Sequence, residues 1–486
     1  IFQVPSFWPT WETLYESCCG DGRFEVRMFW LHGANGDFYQ MCTSEEFLKA
    51  NGIPYTRFSF EEIMRFSPDY MIYQTPFDKG HRPDEAWTIR YRRKGIKIVY
   101  IPYGIEISYM KEGHIKHFDR SVVLNSFAVY TLSEAMRGEY KKWCLNARAA
   151  RAFGLPRFDG LRKTFTLPGD VKDRAGDRII LLWKVHFPKY FTEQENVYQA
   201  TPALDEYRIF AEWLTNRNDF FVIFMPHPKF FEYEKFKEDG PIAEKIVSLL
   251  KENENVYIDT SDDYRRSLTN ADAIIIDRST VMVEAAVRNV PILYMHHHLF
   301  EEPMTPPVAH LLDTYGNGSS ANDMIDFCKK VLSGADESKD RRKAAFEDIV
   351  PYDGKCSERI KDDLMARVSE QWPDQINPRF MRTDRVILFG TEGIFKNVLQ
   401  EIQASLDERR VEILAATDNN PNRWGGRAFG VPIIKPADIP SMEFRYIIIA
   451  SDNYHRDIFL QLTEELKIPK EKILNYDEFI VMLKYE

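Results

Sequence analysis

Histidines follow short apolar runs at several points of the sequence, and they are the side chains best suited to bind phosphate or move a proton. His227 comes directly after Phe224-Met225-Pro226 and is followed by Pro228, so prolines fix the backbone on both sides. A histidine held at the end of a strand can donate to phosphate or exchange a proton near neutral pH. A structural turn histidine is the alternative, and we favour the functional interpretation.

The segment ADAIIIDRSTVMVEAA, which ends at Ala286, is the densest pattern. An apolar strand ends there at Asp277, and Ser279 and Thr280 follow where a helix should begin. Free N–H groups and the helix dipole make a helix start an anion site, and two hydroxyls add donors for a diphosphate. N-capping by Ser or Thr explains the same pattern, and both interpretations stand.

Two further strand ends carry candidates. His186 closes Trp183-Lys184-Val185-His186 and is balanced between a catalytic and a structural role, whereas we interpret Lys184 as a solvated side chain. In the first part of the chain Tyr103 and Gly104 form a strand-end turn, where glycine allows close approach of a ligand. The nearby His114 and His117 are interpreted as surface histidines.

Three other patterns are weaker. The basic run Arg90–Lys94 could hold a phosphorylated acceptor or an anionic membrane surface, but a solvated helix face is the first interpretation. His296–His298 suggests a metal, yet adjacent strand residues point to opposite faces, so no metal site is predicted. Gly390–Gly393 between a strand and a helix, with Asp418 closing the next strand, predicts a Rossmann-like unit without the full glycine spacing for a dinucleotide.

Composition limits the classes of function. The chain has 486 residues, 44% hydrophobic residues and a net charge of −10, which favours several globular domains and argues against nucleic-acid binding. The 6 cysteines form no CxxC pair and are interpreted as reduced thiols. No apolar stretch approaches the ~20 residues of a membrane span. We therefore expect a cytoplasmic protein, with peripheral contact to the inner face of the membrane left open.

Apolar runs alternate with amphipathic stretches, which predicts an α/β fold of parallel sheets. Expected domains are residues 1–155, 156–372 and 383–486. The two larger lobes suggest a cleft with an acceptor on one side and a donor on the other. Expected strands are Phe24–Trp30, Tyr70–Tyr73, Lys97–Ile101, Ser121–Asn125, Arg178–Trp183, Phe220–Met225, Val256–Asp259, Ala273–Ile276, Pro291–Met295, Val386–Phe389, Glu412–Ala416 and Tyr446–Ala450.

Several segments together resemble the CDP-glycerol glycerophosphotransferase family, which includes teichoic acid and capsule polymerases. They are Phe224–Pro228, Asp262–Tyr264, the ADAIIIDRSTVMVEAA block, Phe158-Asp159 and Asp353–Ile360. The resemblance covers roughly residues 1–370 and implies a GT-B fold, a pair of Rossmann-type lobes. The part from Arg385 onward resembles small Rossmann-like domains attached to sugar-modifying and capsule enzymes.

The resemblance also implies roles for individual residues. Ser279 and Thr280 would hold the donor pyrophosphate and His227 would contact its phosphate or assist transfer, while Asp277 shapes the loop. Arg278 replaces the tyrosine of the family pattern, and its guanidinium suits charge neutralisation. Glu284 completes the donor-side set, and Tyr103 and Gly104 stand on the acceptor side.

The family's first-lobe histidine has no counterpart in this chain. Residues Tyr103–Ser108 occupy its place, so the base would be another residue, such as His186 or Glu106. The expected activity is transfer of a polyol phosphate from a CDP-activated donor to a hydroxyl of a polysaccharide or lipid-linked acceptor, with no certain cofactor and the metal requirement open. A glycosyltransferase, a nucleotide-sugar 2-epimerase-like isomerase and a non-catalytic scaffold are the alternatives.

Overall fold

The computed structural model describes residues 1–31, 45–109, 118, 120–143, 147–193, 196–199, 201–300, 302–371, 384–408, 411–451 and 454–485. The chain forms two compact units. The first comprises residues 1–103, 108–153 and 358–486, and the second comprises residues 104–107 and 154–357. The division into three domains expected from the sequence stays a prediction.

The N-terminal part of the first unit contains a parallel sheet with the strand order β3-β4-β5-β6 and a separate parallel pair, β1-β2. Its strands are β1 Phe29–Trp30, β2 Thr56–Arg57, β3 Tyr70–Tyr73, β4 Lys97–Tyr100, β5 Ser126–Thr131 and β6 Ala150–Ala152. Its helices are Glu12–Cys19, Glu45–Ala50, Phe60–Phe66, Thr88–Arg92, Ser121–Leu124 and Glu134–Trp143. The predicted strands at 70–73 and 97–101 are confirmed.

Two predictions for this region are wrong. Residues 121–125 form a helical turn, in which Asn125 N–H donates to the Ser121 carbonyl over 2.8 Å. The following strand β5 is entirely buried and pairs with β4, so burial of this longer run overrides the β-branched residues before it. The expected strand Phe24–Trp30 is extended only at its end, because β1 is Phe29–Trp30.

The second unit is built on one parallel sheet with the order β11-β10-β7-β12-β13-β14. Its strands are β7 Ile179–Val185, β8 Tyr190–Glu193, β9 Asn196–Gln199, β10 Phe220–Pro226, β11 Val256–Ile258, β12 Ala273–Ile276, β13 Ile292–Met295 and β14 Gly316–Gly318, with β8-β9 an antiparallel hairpin. Its helices are Pro156–Gly160, Gly169–Ala175, Leu204–Leu214, Gly240–Lys251, Arg265–Thr269, Val281–Ala285, Pro306–Leu312, Ala321–Leu332 and Lys339–Ile349. Every residue of β10, β12 and β13 is buried, as expected for parallel strands covered on both faces.

The C-terminal part of the first unit contains a mixed sheet with the order β17-β18-β16-β15-β19-β20. Its strands are β15 Asp384–Phe389, β16 Val411–Thr417, β17 Arg427–Ala428, β18 Val431–Ile434, β19 Tyr446–Ile449 and β20 Ile473–Asn475, and its helices are Gly393–Asp407, His455–Leu460 and Tyr476–Tyr485. This sheet shares a hydrophobic core with Trp87 and Ile89 of the N-terminal part. That shared core explains why the two sequence-distant parts form one unit.

Two of the segments that resemble the transferase family meet in the second unit. The Asp159 carboxylate accepts hydrogen bonds from the backbone N–H groups of Cys356, over 3.1 Å, and Ser357, over 2.7 Å. These N–H groups start the helix Cys356–Ala366 and have no partner within it. Asp159 is therefore an N-cap supplied from a distant part of the chain.

None of the helices in the described residues has the length and apolar composition that a bilayer span requires.

Candidate active site

The carboxyl edge of the second unit's sheet brings the sequence-predicted residues together. Strand β7 lies between β10 and β12, with Val185 opposite Pro226 and Lys184 opposite Ile276. His186, His227 and Asp277 each follow one of these three strands directly. Parallel strands in register end at one edge, so the three side chains lie side by side, as the strand predictions implied.

The two histidines form a ring pair. The His186 and His227 ring centroids are 5.0 Å apart, and the Phe187 ring lies 4.9 Å from that of His227. His186 Nδ1 is 2.8 Å from the Phe187 carbonyl oxygen. A carbonyl oxygen only accepts, so Nδ1 of His186 carries the proton and its Nε2 has a free lone pair.

His227 has the opposite tautomer. Its Nδ1 accepts a hydrogen bond from the backbone N–H of Lys229 over 3.1 Å, so its proton resides on Nε2. Burial, with Lys184 and Lys229 nearby, lowers the pKa of His227 to about 3. Burial, with His227 and Arg278 nearby, lowers the pKa of His186 well below its usual value. At neutral pH the pair therefore presents one proton acceptor and one hydrogen-bond donor.

Asp277 is fully buried beside this pair. Its carboxylate accepts the His186 backbone N–H over 2.8 and 3.0 Å and the Tyr207 hydroxyl over 2.9 Å. Burial raises the pKa of Asp277 to about 7, against the opposing effect of Lys184. Asp277 thus fixes the backbone of His186, and its expected role in shaping the loop after β12 stays a prediction.

Lys184 is not the solvated side chain expected from the sequence. It is 8% exposed, and burial lowers its pKa to about 8. The expectation fails because Lys184 lies within β7, the central strand, whose last five residues are buried. The local sequence around Lys184 does not indicate that strands will flank β7 on both sides.

The loop after β12 differs in detail from its prediction. The helix begins at Val281 and extends only to Ala285, and the Ser279 hydroxyl accepts the Val281 N–H over 3.3 Å. Ser279 therefore makes a local bond to the first helical residue, whereas the N-cap position is Thr280, which makes no side-chain capping bond; both residues are partly exposed. Their binding of pyrophosphate stays a prediction.

Arg278 is buried rather than open to solvent. Its Nε lies 3.1 Å from Oε1 of Glu302, and the two side chains are 7% and 2% exposed. The sequence pattern around Arg278 does not predict Glu302 as its partner, because the two residues belong to different loops. Charge neutralisation of a donor by Arg278 stays a prediction.

A buried polar cluster surrounds Glu284. Its Oε1 accepts from Arg157 Nη1 over 2.7 Å and from the Tyr264 hydroxyl over 2.9 Å, and Glu284 is fully buried. Glu106 is also buried and acts electrostatically on Arg157. Two residues predicted for separate roles thus lie around one arginine that the sequence analysis did not select.

Tyr103 and Gly104, the two residues predicted for the acceptor side, belong to different units. Gly104 belongs to the second unit, where a Cβ at its position would lie 3.1 Å from Cγ2 of Thr280. The carbonyls of Glu106 and Ile107 each accept from Thr305 over 2.8 Å. Tyr103 belongs to the first unit, where its ring stacks on Phe7 with centroids 4.4 Å apart.

The structure also locates two of the weaker sequence patterns, the basic run Arg90–Lys94 and the histidines His296–His298. In the helix Thr88–Arg92 the side chain of Arg92 is buried, while Arg93 and Lys94 beyond it are exposed. His296–His298 follow β13 rather than extending it. Within the described residues no group of three or more His, Cys, Asp or Glu side chains is placed to hold a metal ion. His114 and His117 lie outside the described residues.

The C-terminal sheet confirms a Rossmann-like unit in that region. Gly390 has φ +109°, and a Cβ there would lie 2.7 Å from the Ala450 carbonyl oxygen, so the turn requires glycine. The Thr391 hydroxyl donates to Asp418 and accepts from Arg423 Nη1 over 2.6 Å. The chain's own side chains therefore hold the acidic residue that closes the second strand.

Comparison with known proteins supports the architecture. A family model described as C2185-like, N-terminal, matches residues 382–474. No curated protein matches the sequence. A putative UDP-N-acetylglucosamine 2-epimerase from Listeria monocytogenes is similar in structure, with TM-score 0.53, 13% identity, and coverage of 76% of this chain and 96% of that chain. The S. aureus MnaA–UDP co-structure has TM-score 0.51, 13% identity and coverage of 76% and 96%.

The wall teichoic acid polymerase TagF is similar to the same extent, with TM-score 0.51, 10% identity, and coverage of 75% of this chain and 87% of that chain. These identities establish a likeness of fold only. The predicted fold class, a GT-B-like pair of parallel α/β lobes with a further Rossmann-like domain, is confirmed.

Proposed function

We propose that this chain is a GT-B transferase that moves a polyol phosphate, such as glycerol phosphate, from a CDP-activated donor to a hydroxyl acceptor during synthesis of a bacterial surface polymer. The observation that carries the proposal is the pair of neutral histidines with opposite tautomers at the carboxyl edge of β7 and β10. Ligands of open parallel sheets bind at this edge. The likeness to a teichoic acid polymerase supports the same class of reaction.

The chemistry follows from the two tautomers. An acceptor hydroxyl attacks the β-phosphorus of the donor, the new O–P bond forms, and the P–O bond to CMP breaks. His186 Nε2 accepts the hydroxyl proton, and His227 Nε2–H donates to a phosphate oxygen as charge develops. Ser279 and Thr280 add donors to the pyrophosphate. We propose His186 and not Glu106 as the base, because the Glu106 side chain is buried and interacts electrostatically with the Arg157 guanidinium.

The acceptor is proposed to be a polysaccharide or a lipid-linked saccharide, with Tyr103 and Gly104 on its side. The enzyme itself would be located in the cytoplasm or on the inner face of the membrane. No cofactor is proposed beyond the nucleotide donor, and whether a divalent ion assists is left to the assay.

A second candidate function is a nucleotide-sugar 2-epimerase, favoured by the likeness to several such enzymes. A histidine pair that can accept and donate protons would suit either reaction. The two differ in one requirement, because an isomerase acts on its nucleotide sugar with no acceptor present.

Thermal stabilisation of the full chain by CDP, CMP and UDP tests the proposal first, since a ligand that binds only the folded state raises the melting temperature. Phosphorus NMR then follows CMP release from CDP-glycerol with and without a saccharide acceptor and added Mg²⁺. His186→Gln should lower the rate about 10²- to 10⁴-fold. The control is His310→Gln, because the His310 side chain is 56% exposed.

Cytidine-selective stabilisation with acceptor-dependent CMP release supports the transferase. Uridine-selective stabilisation with isomerisation of UDP-N-acetylglucosamine replaces it with the epimerase. A rate unchanged by His186→Gln contradicts the assignment of the base.

A further inference from the structure

Lys184 is a buried ammonium at the carboxyl end of the central strand β7. Within the described residues its Nζ makes one hydrogen bond, to the Val185 carbonyl oxygen over a long 3.4 Å. An ammonium has three N–H donors, and a buried charge is costly unless it is paired and hydrogen-bonded. Its remaining donors therefore require acceptors.

The carboxylates around Lys184 have other partners. Asp277 and Asp259 both act on it electrostatically, yet within the described residues the Lys184 ammonium donates to the Val185 carbonyl and to neither carboxylate. The oxygens of Asp277 accept from His186 and Tyr207. Those of Asp259 accept from the Ser261 N–H over 2.9 Å and from the Ser267 hydroxyl over 2.5 Å.

The position of Lys184 points to an anionic ligand. Lys184 acts electrostatically on both His186 and His227, so its ammonium lies close to the histidine pair. His227 and the hydroxyl-bearing loop after β12 follow the two neighbouring strands at the same edge. A compact ammonium among hydrogen-bond donors suits phosphate oxygens.

We propose that Lys184 binds the diphosphate of a nucleotide substrate, an inference that rests on the proposed nucleotide-dependent function. Lys184 would supply the full positive charge that two neutral histidines and two hydroxyls lack. It would be a specificity-determining residue for the number of phosphates, with little influence on the choice of base.

The protonation of Lys184 gives an independent signature. The titratable groups that face it are Asp277, Asp259, His227 and His186, and burial lowers its pKa to about 8. A bound anion raises a lysine pKa, so above pH 8 the complex should take up a proton as it forms. The nucleotide phosphates are already ionised there and contribute none.

Isothermal titration of the full chain with CDP and UDP, each beside its nucleoside, tests the proposal. Lys184→Met should lower the affinity for the diphosphate that binds by about ten- to hundredfold, because a charge-assisted hydrogen bond is lost. The affinity for the corresponding nucleoside should stay within about twofold of the wild-type value. Lys343→Met is the matched control, because Lys343 is 62% exposed and lies 4.0 Å from Glu347. It should change neither affinity.

Tight diphosphate binding that Lys184→Met leaves unchanged overturns the assignment and leaves the proposed function standing. A wild-type chain that binds neither diphosphate overturns both. If Lys184→Met does not fold, titration of the wild type at pH 9 in two buffers of different ionisation enthalpy decides: uptake of about one proton supports Lys184, and no uptake refutes it.

Discussion

The ion pair between Arg157 and Glu284 allows a quantitative prediction. Their side chains are 3% and 0% exposed, and Arg157 Nη1 lies 2.7 Å from Glu284 Oε1. Arg157→Met leaves the buried carboxylate with the Tyr264 hydroxyl as its partner. Removing one member of a buried pair costs about 3–5 kcal/mol, because the remaining charge stays desolvated.

The corresponding shift in melting temperature follows from the size of the second unit. For 150–250 residues, 1 kcal/mol corresponds to about 2–4 °C, so Arg157→Met should lower the transition of this unit by about 6–20 °C. Glu284→Gln should cost less, since glutamine still accepts from Tyr264 and Arg157 still faces Glu106. The double variant Arg157→Met/Glu284→Gln should be more stable than the single variant Arg157→Met, because it leaves no unpaired carboxylate in the buried site.

Differential scanning calorimetry measures the shifts, and hydrogen exchange of peptides from residues 154–357 assigns the transition. Arg208→Met is the matched control, because Arg208 also pairs with a glutamate over 2.7 Å but is 31% exposed. An exposed pair is worth about 0–1 kcal/mol. If Arg157→Met and Arg208→Met shift the transition equally, burial of the Arg157–Glu284 pair does not determine the cost of breaking it.

Three further predictions concern stability. The pKa of His227 in the folded chain lies below its value in the unfolded chain, so below about pH 6.5 the unfolded chain binds a proton that the folded chain does not. The free energy of unfolding should therefore fall by up to about 1.4 kcal/mol per pH unit below about pH 6.5. Urea titrations at pH 7 and pH 5 should show a smaller fall for His227→Gln than for the wild type. Asp159→Ala should cost about 1–2 kcal/mol through loss of the cap, with an equal stability of variant and wild type in urea as the contrary result. Gly390→Ala should destabilise the C-terminal sheet by more than about 1 kcal/mol in hydrogen exchange, whereas Gly393→Ala, with open space at its Cβ, should be neutral or stabilising.

Local signals in the sequence predict where the strands of the second unit end. Strand ends are marked by apolar runs that stop at a polar residue, and in a parallel sheet all such ends meet at one edge. The positions of His186, His227 and Asp277 follow from that rule alone. Their neighbour relations require the strand order, in which β7 lies between β10 and β12.

Features that depend on distant residues could not be predicted. Arg157 and Glu284 are 127 positions apart, and the pattern around each gives no reason to connect them. Lys184 is buried because strands flank it on both sides, which periodicity does not report. The helical turn at 121–125 has the composition of a strand, and burial of the next run decides its structure.

The proposed function requires that a nucleotide diphosphate binds at the carboxyl edge of the second unit's sheet. Its most direct test is calorimetric titration of CDP and UDP into the full chain and into the Ser279→Ala/Thr280→Ala double variant. We expect submillimolar binding of one diphosphate by the wild type, weakened at least about tenfold in the variant. Binding of equal strength in both proteins, or no binding to the wild type, would contradict it.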